Sequence, residues 1–220
     1  MRKIFDAKFK VEVALIGQGE FYVSNRNEII TTTLGSCIAV CLMDPLAKVG
    51  GMNHYMLPGP VLQDDSLVFG KAKYGINSME ILINECLRAG AKRERFVAKI
   101  FGGANMFTKN ASIAGLDEEF KTVAVGAQNI AFARKYLALE EIKIISEDVG
   151  KDHARKIYFE PATGNVKLFR LDSMKKQAIL QEEGRYHKSI RPTTPPAAAP
   201  AAEKKEEPKS DKTDDKITFF

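Results

Sequence analysis

The sequence predicts a mixed α/β fold: a single layered domain of largely antiparallel strands with flanking helices. Three observations predict it. Two pairs of strand-like segments are each joined by a short turn, Asp44-Pro45-Leu46-Ala47 and Pro161-Ala162-Thr163-Gly164. Between these pairs lie two segments with apolar residues at helical spacing. From Lys188 the composition switches to proline, alanine and mixed charge without apolar periodicity. That change ends the domain at residue 187 (1–187) and marks 188–220 as a disordered tail.

With 220 residues, 45% of them apolar, the chain can fill one good-sized core. No run reaches the roughly 18 apolar residues of a membrane span, so no membrane insertion is expected. The first residues lack the uninterrupted apolar stretch of a signal peptide. Three cysteines fit the reduced thiols of a cytoplasmic protein better than a disulfide framework. The net charge of +5 comes from interspersed acids and bases, not a basic stripe with aromatics, so no nucleic-acid partner is expected.

The elements follow in order. Residues 11–16 and 20–24 read as short strands around Gly17-Gln18-Gly19, which is too short for a nucleotide fingerprint and is taken as a turn. A third strand, 28–33, leads into Leu34-Gly35-Ser36-Cys37. Strands over 37–43 and 49–57 flank Asp44-Pro45, the preferred chemistry of a type I turn, and form a hairpin. Pro58-Gly59-Pro60 opens a polar loop to about residue 74. Asn77-Ser78 then caps a helix with Met79, Leu82, Ile83, Cys86 and Leu87 on one face, closed by Gly90. Residues 96–101 read as a buried strand, followed by Gly102-Gly103-Ala104-Asn105. A second helix covers 124–139 with Ile130, Ala133 and Leu137 inward. A strand at 142–146, a hairpin of 155–160 with 165–171, and a helix over 173–183 complete the domain.

The hairpin places a cysteine and a histidine together. If Asp44 faces Ala47, Cys37 falls opposite His54 on the same face, with Cβ atoms about 4.5–5.5 Å apart. An imidazole beside a thiol favours the nucleophilic thiolate and can later donate a proton to a leaving amine. Backbone N–H groups at Gly35 and Ser36 could serve an oxyanion. Thr31, Thr32 and Thr33 are the nearest hydroxyls to orient the base. The same two residues also suit a buried apolar cysteine and a satisfied core histidine, and the spacing leaves both readings open.

Other chemistries fit less well. Cys37 and Cys41 on one strand have Cα atoms about 13 Å apart, too far for a disulfide. No compact set of four ligands is present for structural zinc, so no metal is expected, and His153 reads as an exposed loop residue. A papain-like protease places its cysteine on a helix, unlike this hairpin. Ile217, Thr218, Phe219 and Phe220, at the end of a solvated linker, read either as a tethered docking peptide or as a frayed end.

The segments LGSCIAVCL, Asp44-Pro45, VGGMNHYMLP, YGINSME and KIFGGANMF resemble the CheD family of chemoreceptor glutamine deamidases, over most of residues 17–171. The resemblance implies stacked sheets in a sandwich and hydrolysis of a protein glutamine amide without a cofactor. Its Cys–His–Thr arrangement falls on Cys37, His54 and Thr31. It places Ser36, Gly102, Gly103 and Asn105 near the substrate. The implied substrates are methyl-accepting chemotaxis receptors, and a CheC-type phosphatase is a further possible partner of a monomer. A non-catalytic adaptor on the same partners is the alternative. One departure stands out: the family's DVGG is Asp148-Val149-Gly150-Lys151 here.

Overall fold

The computed structural model describes residues 1–7, 9–57, 65–105, 125–171, 178–179 and 181–186, with the backbone alone over 65–73. The expected tail at 188–220 with its terminal aromatics, the start of the expected loop at 58–64 and residues 173–177 and 180 of the expected closing helix lie outside these residues.

Two five-stranded sheets organise the described residues. One runs, in spatial order, β1 (Arg2–Asp6), β2 (Val11–Leu15), β4 (Ile29–Leu34), β9 (Arg155–Glu160) and β10 (Asn165–Arg170). The other runs β3 (Phe21–Ser24), β6 (Val49–Asn53), β5 (Ile38–Asp44), β7 (Val97–Gly102) and β8 (Lys143–Val149). Among the described residues only β2 with β4 and β7 with β8 pair in parallel. The two long helices among the described residues are α1 (Asp65–Arg88) and α2 (Val125–Leu139).

The sheets stack face to face. Ile30, Leu34, Ile157 and Phe159 of the first sheet meet Ala39, Cys41, Met43 and Met52 of the second in one buried cluster. On the other side of the second sheet, Ile38, Val40 and Leu42 pack with Met79, Leu82 and Ile83 of α1 and with Ala133 and Leu137 of α2. Strand β5 is therefore covered on both faces, with all seven residues buried. This is why it reads as a continuous apolar run.

The hairpin register departs from the expected one. Asp44 pairs with Val49 and Cys41 with Met52, so partner numbers sum to 93 rather than 91. Lys48 takes a left-handed conformation, φ 54°, and lengthens the connection to four residues, 45–48. A glycine there would have announced such a loop; a lysine does not. The shift is by two residues, so each side chain keeps its expected face.

Two elements differ further. The stretch expected as a polar loop up to residue 74 is helical from Asp65, and Ser78 lies mid-helix, where its hydroxyl accepts from Asn53 Nδ2 at 3.1 Å. Once the 77–88 segment is helical, each residue added at its N-terminal end gains a hydrogen bond without a new nucleus, and no proline intervenes after Pro60. Strand β1 was not expected. It is an edge strand with mostly exposed residues, so no apolar alternation marks it.

Candidate active site

The segment linking β4 to β5 holds Gly35, Ser36 and Cys37. Its three carbonyls are all engaged on one side: Gly35 O accepts from Ala104 N at 2.8 Å, Ser36 O from Asn129 Nδ2 at 2.8 Å and Cys37 O from Gly103 N at 2.7 Å. Its three N–H groups therefore point together the other way. They converge on the carboxylate of Glu183, with Gly35 N and Cys37 N each 3.2 Å from Oε1 and Ser36 N 3.1 Å from Oε2. Ser36 Oγ donates to Oε2 at 2.7 Å. Successive N–H groups gathered in this way form an anion-binding concavity.

The expected glycine loop supports this segment from beneath. Gly102 and Gly103 are buried and have φ of 107° and 65°, conformations that favour glycine. A Cβ on Gly102 would lie 2.2 Å from Cys37 O. Both glycines thus meet the backbone of the cysteine segment. Asn105 is exposed, and its N–H donates to Lys151 O at 2.6 Å. Lys151 itself has φ 62°, so it holds the left-handed conformation at the position of the family's second glycine. Buried Arg155 closes that loop through Asp148 Oδ1 at 2.6 Å, Gly150 O at 2.8 Å and His153 O at 3.1 Å.

His54 follows β6 and is 3% exposed. Ile38 exchanges two backbone hydrogen bonds of 2.9 Å with Tyr55, which sets Cys37 and His54 as diagonal neighbours on one face of the sheet. The hydroxyl that meets His54 Nδ1, at 2.8 Å, belongs to Thr32, not Thr31. Side chains alternate along β4, and Thr31 Oγ1 instead donates to Ile157 O at 2.8 Å. Thr32 Oγ1 donates its single proton to Ile16 O at 2.8 Å, so toward the imidazole it accepts. Nδ1 therefore carries the ring proton and Nε2 the lone pair. Nε2 is buried and has no hydrogen-bond partner among the described residues.

Burial pushes the His54 pKa down to about 4, opposed by the charge of Glu20. The Cys37 thiol is pushed well up, first by burial, then by the Glu183 charge and hydrogen bond and by the Glu182 charge. Both groups are neutral in this state. Cys37, Cys41 and Cys86 are free and buried. Cys41 lies in the core between the sheets and Cys86 among the helices. Burial pushes the Cys86 thiol up to about 12, as suits an apolar role. A cleft of about 520 Å³ opens beside His54 and Thr32, with Gly17, Glu20, Ile179 and Glu182 on its walls.

Two site residues escaped the sequence reading. Asn129 carries a signal: it precedes Ala133 and Leu137 by four and eight residues and so puts an amide in the buried stripe of α2. Its side chain accepts from Leu57 N at 2.9 Å while donating to Ser36. Glu183 carries none, because nothing local distinguishes it from Glu182.

Comparison with known proteins decides the family. The family model for CheD, "CheD chemotactic sensory transduction", matches residues 56–170. The chain is 39% identical over 188 residues to the "Probable chemoreceptor glutamine deamidase CheD" of Methylobacillus flagellatus, covering 85% of this chain and 88% of that protein. The chain belongs to the CheD family. A second CheD, from Janthinobacterium sp., is 38% identical over 187 residues, covering 85% and 87% of the two chains. The "Probable chemoreceptor glutamine deamidase CheD 1" of Burkholderia thailandensis is 41% identical over 184 residues, with 81% and 74% covered. Within the described residues of this CheD-family chain, no helix is long and apolar enough to cross a membrane.

Proposed function

We propose that this chain hydrolyses glutamine side-chain amides of methyl-accepting chemotaxis receptors to glutamate, acting on their cytoplasmic helical regions. The observation that carries the reading is the pairing of two features. A buried imidazole has one nitrogen fixed by Thr32 and the other unpartnered, and it shares a sheet face with a cysteine whose flanking N–H groups hold a carboxylate.

The steps use these atoms. His54 Nε2 takes the Cys37 proton as Sγ adds to the amide carbon Cδ of glutamine. The N–H groups of Gly35, Ser36 and Cys37 hold the oxygen that becomes negative. The imidazolium then gives its proton to the nitrogen, the C–N bond breaks and ammonia leaves. His54, neutral again, takes a proton from water as its oxygen adds to the thioester carbon. The C–S bond breaks as the imidazolium returns that proton to Sγ, which regenerates the thiol and the neutral base, and the product acid leaves as glutamate. Thr32 keeps Nε2 as the base throughout. No cofactor takes part, and a monomer is sufficient. Binding to a CheC-type phosphatase would appear as co-elution on size exclusion.

The test is mass spectrometry of a receptor cytoplasmic fragment incubated with the chain. Each converted glutamine adds about one dalton, and ammonia appears in equal amount.

A further inference from the structure

A buried carboxylate needs either a cation or a full set of donors. Glu183 is 1% exposed; among the described residues it has no ion-pair partner, and it takes four donors from Gly35, Ser36 and Cys37. Those donors lie on the proposed nucleophile and the two residues before it. Residues 181–186 are helical, and Glu182 and Ile179 stand on the wall of the cleft that opens to His54. Tyr186 anchors the segment: its ring packs against the inter-sheet core, and its hydroxyl lies 2.6 Å from where a Cβ on Gly19 would stand.

We propose that the helical segment around Glu183 is a built-in product mimic, lying where the substrate helix docks, with its carboxylate where the product glutamate forms. This rests on the deamidase reading above and deepens it. The donor pattern discriminates. Both Glu183 oxygens face N–H donors, so a carboxylate satisfies the nest, whereas an amide sets its NH2 against one of them. The nest therefore favours the product and the developing oxyanion over the unreacted amide, and a tethered carboxylate competes at high effective concentration. The same carboxylate discourages the Cys37 thiolate. The chain closes its own site until a receptor helix displaces the segment, and the ligand class is defined: a helix presenting glutamine or glutamate to Cys37.

Two full-length variants test this. In Glu183→Ala, alkylation of Cys37 by iodoacetamide, located by peptide mass spectrometry, speeds up at least tenfold while Cys41 and Cys86 stay slow. KM for the receptor fragment falls at least threefold. In Glu183→Gln, the enzyme acts on itself: Sγ adds to Cδ of the new glutamine, ammonia leaves, water cleaves the thioester, and that residue gains about one dalton unless Cys37→Ala is also present. An unchanged Cys37 alkylation rate, or equal acceleration at all three thiols, overturns the closure. An amide at position 183 that persists while receptor glutamines are converted overturns the product placement. If alkylation accelerates at Cys37 but no protein converts any glutamine, the deamidase reading falls and the closure stands.

Discussion

Thr32→Val removes one oxygen at nearly constant volume and separates orientation of the base from packing. The hydroxyl serves two buried partners, accepting from His54 Nδ1 and donating to Ile16 O, each at 2.8 Å. Valine leaves both unpaired, and each buried unsatisfied group costs about 1–3 kcal/mol, so stability falls by about 2–6 kcal/mol. Catalysis loses the contact that fixes the tautomer. If that contact is worth about 1–3 kcal/mol in the reacting state, kcat falls roughly 5- to 150-fold. Ammonia release from a receptor fragment under saturating substrate reads kcat, and urea unfolding reads stability. Thr32→Ser keeps the hydroxyl and recovers most of the rate. Thr31→Val, which loses only the bond to Ile157 O, costs stability and leaves kcat within about twofold. A Thr32→Val enzyme with undiminished kcat, or a Thr31→Val enzyme equally slowed, refutes the assignment of Thr32.

Three other outcomes are expected. The Cys37 thiol is raised by burial and by Glu183, so its alkylation rate climbs with pH well above neutrality. Glu183→Ala removes a negative charge and moves the profile to lower pH, with no step near 6.5 because His54, held down to about 4, is already neutral there; a profile that stays in place contradicts the electrostatic role. Gly102→Ala puts a Cβ 2.2 Å from Cys37 O at φ 107° and costs about 3 kcal/mol or more, seen as a lower urea midpoint with activity lost in the folded fraction. For buried Asp44, burial alone raises the carboxyl, but Arg95 and the N–H groups of Ala47, Lys92 and Leu46 together outweigh it and hold it low. A depressed acid adds stability above its unfolded value near 4, lost as pH falls through the folded value. Asp44→Asn therefore costs about 2–4 kcal/mol at pH 7 and much less in strong acid, by urea unfolding at the two pH values.

What was legible in the sequence follows from what is local. Asp44-Pro45 announced a turn, and period-two alternation kept Cys37 and His54 on one face even though the register is two residues away from the expected one. The stripe from Met79 to Cys86 marked the helix because its pattern is set by the face it buries. Alternation also held the clue to the threonine that meets His54: Ile30 and Leu34 point into the inter-sheet core, and Thr32 shares their parity while Thr31 does not. The left-handed Lys48 and Lys151 carry no residue signal. Strand β1 is recruited by its neighbour β2 and not by a buried face of its own. Glu183 reaches its partners across 146 to 148 residues, a separation at which only the assembled sheets decide who meets whom.

The most direct test compares the intact chain and Cys37→Ala on one receptor cytoplasmic fragment, read by peptide mass spectrometry. Conversion of defined glutamines to glutamate by the intact chain, about one dalton each and absent with Cys37→Ala, is the predicted result. Equal conversion by both proteins would contradict the thiol mechanism, and binding without conversion by either would leave an adaptor in place of an enzyme.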